Sequence, residues 1–169
     1  LVPEIADEFL DRFKAEVATM KAGDPLDPES DLGPMSSLEA RDELHRQVTD
    51  SLAAGAIAEL GCQLPAGPGA FYPASILDDV TPRTRAYHEE LYGPVAVVIR
   101  AKNDADAIRI ANDSRFALGA SIWSEDFNHA ETIARELVAG TCFVNGIVKS
   151  DPRLPYGGTK ASGLGRELS

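Results

Sequence analysis

Apolar residues near the start of the chain recur every three or four positions: Ile5, Phe9, Phe13, Val17 and Met20 stand four, four, four and three apart. That is the spacing of one face of an α-helix, and it predicts a helix from about Pro3 to Ala22, closed by Gly23. Over 24–34 three prolines, Pro25, Pro28 and Pro34, each fix φ and lack an N–H, so this stretch reads as an irregular loop. A second helix follows. Ser36 with Glu39 three positions on has the form of a capping box, and Leu44, Val48 and Leu52 supply a buried stripe up to Gly55. Short strands are predicted over 56–60 and 72–77, on either side of the turn-forming run Pro65-Ala66-Gly67-Pro68-Gly69.

The alternation becomes regular further on. Val95–Ala101 is apolar and β-branched, 103–114 carries Ala107, Ile108 and Ala111 at helical spacing, and Gly119–Trp123 reads as a strand. Phe127, Ala130, Ile133, Ala134, Leu137 and Val138 mark a helix stopped by Gly140, and Thr141–Asn145 is a strand again. Strand, helix, strand, helix and strand at this spacing imply βαβ units. The expected class is therefore α/β, an open, mostly parallel sheet with helices on both faces, in which Trp123, Phe127 and Phe143 read as core.

Composition narrows what such a fold could do. The 169 residues, 44% of them apolar, suffice for one sizeable domain. Sixteen Lys and Arg stand against 27 Asp and Glu, a net charge of −11, so phosphate backbones are repelled and nucleic acid is not an expected partner. The longest apolar run, Val95–Ile99, is far shorter than the roughly 20 residues of a membrane span, so no membrane partner is expected either. Two cysteines are too few for a disulfide framework or a four-thiolate metal site, which points to a reducing, cytoplasmic setting. The chain opens on Leu1 without a targeting segment and reads as a fragment or a processed chain.

Parallel sheets bind ligands beyond the carboxyl ends of their strands. The loop after Thr141–Asn145, through Gly158, is thus the first candidate site, offering Asn145, Lys149, Ser150, Asp151, Arg153 and Tyr156; the alternative is a solvated connection. Glu89-Glu90-Leu91-Tyr92-Gly93-Pro94 is the second. A carboxylate there can accept both hydroxyls of a ribose while the aromatic ring lines a planar group; the alternative is a solvated acidic pair at a helix end. His45, His88 and His129 lack metal-ligand spacing and read as surface residues, and no metal is expected. Neither a G-x-G-x-x-G fingerprint nor a phosphate loop occurs. Cys62 and Cys142 sit in or beside apolar strands, whereas an activated thiolate needs a cationic or helix-terminal neighbourhood, so both read as inert.

Taken in order, the motifs match one family. Gly23-Asp24-Pro25 with Asp31-Leu32-Gly33-Pro34, then Glu89-Glu90-Leu91-Tyr92-Gly93-Pro94-Val95, Ala111-Asn112-Asp113-Ser114-Arg115-Phe116-Ala117-Leu118 and Gly140-Thr141-Cys142-Phe143-Val144-Asn145 resemble the aldehyde dehydrogenase superfamily, as does the long closing block from Pro155-Tyr156-Gly157-Gly158 to Gly163-Leu164-Gly165-Arg166-Glu167-Leu168. The stretch from Asn145 to Ser150 and the close through Ser169 look most like its succinate-semialdehyde dehydrogenase branch.

The resemblance implies oxidation of an aldehyde to a carboxylic acid with NAD or NADP: a thiolate attacks the aldehyde, hydride passes to nicotinamide, and a glutamate-activated water hydrolyses the thioester. It assigns Glu90 to the nicotinamide ribose, Tyr92 to the nicotinamide, Tyr156 to the aldehyde tunnel and Ser150 to the tunnel mouth. It makes residues 1–169 a partial catalytic domain, with the dinucleotide-binding domain, nucleophilic cysteine, general base and oxyanion-hole asparagine all outside this stretch. No catalytic residue is then expected among the 169, and the stretch alone is expected to be inactive. The partners implied are a small-molecule aldehyde, succinate semialdehyde as the best match, and further copies of the chain in a homo-oligomer. The alternative is a non-enzymatic binding or interaction domain derived from the same fold.

Overall fold

Burial along the first helix departs from the predicted apolar face in its first half and agrees with it in its second. Helix α1 (Pro3–Val17) begins with proline in its first turn, where a missing N–H is harmless, and carries Glu4 at its amino end and Lys14 at its carboxyl end, both favourable to the helix dipole. It buries Ala6, Leu10 and Val17, while Ile5, Phe9 and Met20 stay exposed. Ala6 and Leu10 replace Ile5 and Phe9 on the inward face, while Phe13 and Val17 of the predicted stripe pack with Leu10, Ile76 and Val98. The helix stops at Val17, short of Ala22, because Lys21 and Gly23 pair across the loop. The Gly23 N–H donates to the Leu32 carbonyl at 2.9 Å, and the Asp31 and Leu32 N–H groups donate to the Lys21 carbonyl.

The computed structural model describes residues 1–168, so Ser169, the close of the last motif, lies outside the described residues. The chain divides into two units, Leu1–Arg100 and Ala101 onward. In the first, α2 (Leu38–Ala53) is capped by Ser37, not Ser36: its hydroxyl accepts the Ala40 N–H at 3.1 Å. Then come β1 (Ile57–Leu60), β2 (Ser75–Asp78), the single-turn α3 (Arg85–His88) and β3 (Val95–Val97). The strand β2 is central, antiparallel to β1 and parallel to β3. All four of its residues are buried. Ile76 joins the α1 residues Leu10 and Val17 in one cluster, and Leu77 joins Leu44 and Val48 of α2 in another. Adjacent strand residues point to opposite faces, so the two clusters place helices on both faces of this sheet. Asp78, buried at the end of β2, is answered by Arg100, whose Nη2 donates to it at 2.7 Å and whose Nη1 donates to Asp7 at 2.6 Å.

The second unit contains α4 (Asp104–Asn112), β4 (Phe116–Ala117), β5 (Gly119–Ile122), α5 (Phe127–Ala134), β6 (Thr141–Val144) and β7 (Thr159–Lys160). Asn103 caps α4 and Asp126 caps α5, each side chain accepting a backbone N–H at 3.0 Å. Strands β5 and β6 are parallel, with Gly119 opposite Thr141 and Ile122 opposite Val144; with α5 between them they form the expected βαβ unit. Strand β7 pairs antiparallel with β4.

The class is α/β, with the strands of the described residues sorted into three small sheets. Two expectations for side chains fail. Trp123, just past the end of β5, is 61% exposed and Phe127, the first residue of α5, is 58% exposed; Phe143 is half-buried. Of the three histidines, His45 is half-buried and its Nδ1 meets the Tyr72 hydroxyl at 3.1 Å. No helix among the described residues is long and apolar enough to cross a membrane.

Candidate cofactor and substrate sites

Glu89 and Glu90 are neighbours in sequence with opposite surroundings. The carboxylate of Glu89 is gripped by Arg85, one turn back along α3, whose Nη2 donates at 2.7 Å and Nε at 3.1 and 3.2 Å. It also accepts from Gln47 Nε2 at 3.0 Å. Those hydrogen bonds, Arg85 first and Gln47 second, hold the Glu89 carboxyl below the usual carboxylate range. Glu90 is exposed and has no side-chain partner among the described residues. The solvated acidic pair is therefore half correct: one carboxylate is committed to the protein and the other is free for a ligand.

Tyr92 stands 79% exposed. Behind it Gly93 lies so close to α2 that a Cβ would fall 2.4 Å from Leu44 Cδ2, which presses the 90–93 turn onto the helix. A free carboxylate and an exposed ring two residues apart have the chemistry to hold a diol and a flat heterocycle.

The second candidate site grows from the end of the β5–β6 ladder. Asn145, at φ 52°, spans both strand ends: its Oδ1 accepts the Ser124 N–H and its Nδ2 donates to the Ser124 carbonyl, each at 2.9 Å. The loop after it exposes Lys149 and Ser150. Arg153, which the sequence offers as a second cation there, is committed to Asp151, with Nε at 2.9 Å, Nη2 at 2.7 Å and the backbone N–H at 2.9 Å. Lys149 has no carboxylate partner among the described residues and remains the available charge. Tyr156 is half-buried, and its backbone exchanges two hydrogen bonds with Glu167, at 2.8 and 2.9 Å.

Arg153, through its guanidinium and then its N–H, holds the Asp151 carboxyl down at about 2, against an ordinary 3.8. A depressed carboxylate lends stability that is complete above its ordinary value and vanishes as pH falls through the lowered one. The Asp151 side-chain carbon signal should accordingly titrate near 2 by NMR. A midpoint at 3.8 would mean that the pair does not form in solution.

Neither thiol is activated. Cys62 is buried with its Sγ donating to the Leu60 carbonyl at 3.3 Å, and burial pushes its pKa up; Cys142, in β6, is pushed up for the same reason. Among the described residues, no group of three or more His, Cys, Asp or Glu is placed to hold a metal ion. Sequence reasoning missed Gln47 and Arg85. The spacing of Glu43, Gln47 and Asp50 along α2 is a polar stripe beside the apolar one, and it could have pointed to a buried polar contact.

The family model described as the aldehyde dehydrogenase family matches residues 1–169. The chain belongs to the aldehyde dehydrogenase family. It is 47% identical over 165 residues to the succinate semialdehyde dehydrogenase Sad (NAD(P)+) of Escherichia coli K12, covering 98% of this chain and 36% of that protein. It is 43% identical over 166 residues to succinate-semialdehyde dehydrogenase (NADP+) 1 of Mycobacterium tuberculosis H37Rv, again covering 98% of this chain and 36% of that protein. A solved structure of succinic semialdehyde dehydrogenase from Streptococcus pyogenes in complex with NADP+ superposes with a TM-score of 0.94 at 36% identity, over 99% of this chain and 37% of that one. The chain thus spans little more than a third of the length of these relatives. In this family member Glu90 and Tyr92 share one segment of the first unit, and Ser150 and Tyr156 share one loop of the second.

Proposed function

We propose that this chain is part of the catalytic domain of an oxidoreductase that converts succinate semialdehyde to succinate with NAD or NADP. The observation that carries the reading is the 43–47% identity to succinate-semialdehyde dehydrogenases along almost the whole chain. A nicotinamide dinucleotide, when bound, supplies the acceptor for the aldehyde hydride. The residues present suit such a group: the free Glu90 carboxylate accepts hydrogen bonds from the two ribose hydroxyls, and the exposed Tyr92 ring lines the nicotinamide. On the substrate side, Tyr156 lines the aldehyde path, the Ser150 hydroxyl donates to the distal carboxylate, and Lys149 attracts it.

Burial of Cys62 and Cys142, which raises both thiol pKa values, supports the reading that neither is the attacking thiolate. Two free cysteines support a cytoplasmic setting, and family membership supports a homo-oligomeric whole protein. The test is a comparison of kcat/KM in the whole protein. Succinate semialdehyde should exceed a neutral aldehyde of equal length by roughly tenfold or more, the worth of one charge-assisted contact. A preference for long apolar aldehydes would overturn the substrate assignment. Failure of every aldehyde would favour a binding domain that has lost the chemistry.

A further inference from the structure

Resting on the reading of Glu90 as the ribose-binding carboxylate, we propose that Gln47 is a positioning residue for it: its amide, clamped between the Glu89 carboxylate and the Glu90 carbonyl, sets the direction in which Glu90 is presented. Among the described residues the Glu90 side chain has no hydrogen-bond or ion-pair partner, so its direction is set by the backbone that carries it. Two anchors are available. Gln47 Nε2 donates to Glu89 Oε2 at 3.0 Å and to the Glu90 carbonyl at 3.2 Å, which uses both of its hydrogens on consecutive residues. Glu89 has an extended backbone, φ −110° and ψ 148°. In extended chain, successive side chains point to opposite sides. Because Arg85 and Gln47 draw Glu89 onto the protein, Glu90 is directed away from it.

The clamp is itself held rigid. Gln47 is only 8% exposed, in the middle of α2. One turn on, the fully buried Ser51 donates to the Gln47 carbonyl at 2.7 Å and accepts the Ala86 N–H at 3.0 Å, tying α2 to α3. Arg85 closes the other side, donating to Glu43 at 2.9 Å and to Asp50 at 2.8 Å, so that Glu43, Gln47 and Asp50 form one face of α2 against the corner. With both amide hydrogens on acceptors of consecutive residues, the buried Gln47 side chain is restricted in orientation. A surface pair serving solubility alone would not enlist a buried glutamine.

The experiment is a double-mutant cycle in the whole protein: Gln47→Met, which keeps the volume but removes both donors, Glu90→Gln, and the two together. Turnover and cofactor Kd are read for each. Gln47→Met should lower kcat by roughly tenfold, with cofactor Kd changed by less than about threefold. Added to Glu90→Gln it should cost less than about twofold more, because the group it positions is already impaired. Multiplicative losses would show that Gln47 acts on stability or elsewhere in the site, and would overturn the proposal, as would an unaltered kcat in Gln47→Met. If Glu90→Gln itself leaves kcat untouched, the ribose reading fails and takes the proposal with it, an outcome distinct from the other two. Should Gln47→Met not fold, Gln47→Asn, too short to reach both acceptors, replaces it in the same cycle with the same expectations.

Discussion

Replacing Glu90 with glutamine in the whole protein should lower kcat on the order of tenfold while leaving dinucleotide Kd within about threefold of its starting value. The substitution keeps size and one acceptor oxygen but removes charge. A hydrogen bond to a charged group is worth about 1.5–3 kcal/mol and a neutral one about 1, so the loss is about 0.5–2 kcal/mol, or roughly 2- to 30-fold. With Glu90 on the ribose, as proposed, that loss should fall on the nicotinamide end. Contacts to the rest of the dinucleotide hold the cofactor, while a poorly placed ring slows hydride transfer. The adjacent Glu89 is no neutral control, because Arg85 and Gln47 hold it in the clamp. Glu125, exposed and without a side-chain partner among the described residues, serves instead as Glu125→Gln and should leave both constants unchanged. Equal, negligible effects at 90 and 125 would return Glu90 to a solvated helix end.

The largest loss of stability is expected at a residue without a side chain. A Cβ at Gly140 would fall 1.7 Å from the Gly157 carbonyl oxygen and 2.9 Å from that of Leu118. Both obstacles are backbone, so no rotamer can relieve the clash. Gly140 sits where the chain enters β6, its N–H donating to the Ala117 carbonyl at 3.1 Å, and Gly157 follows Tyr156 directly. Gly140→Ala must push apart the β6 entrance and the 156–158 strip, at a cost of at least about 3 kcal/mol, the upper range for overpacking. Denaturant unfolding followed through Trp123, the single tryptophan of this chain and a member of the same unit, measures it. With Tyr156 on the aldehyde path, as proposed, the substrate side should suffer first, since that residue is carried on the displaced strip. A change under about 0.5 kcal/mol, typical of a surface substitution, would mean that the two segments are not packed as described.

Much of the molecule was legible in one dimension. The periods of 3.6 and 2 located α1, α2, α4 and α5 and the strands β1, β2, β3, β5 and β6, whereas the single-turn α3 and the two-residue strands β4 and β7 are too short to show a period. The motifs around Glu90, Asn145 and Tyr156 pointed to the family, which the match over 1–169 bears out. What could not be read was every choice between two locally equivalent options. Ala6 and Leu10 rather than Ile5 and Phe9 face inward because Ile76 and Val98 lie against α1. Ser37 rather than Ser36 caps α2. Trp123 and Phe127, apolar enough for a core, are left outside one. The partition of labour between Glu89 and Glu90 belongs to the same class: the chain shows two identical carboxylates, and the glutamine that tells them apart lies 42 residues away from Glu89. Periodicity and capping are properties of neighbours along the chain, whereas burial and the choice of a hydrogen-bond partner depend on which distant segment arrives, and only the tertiary structure decides that.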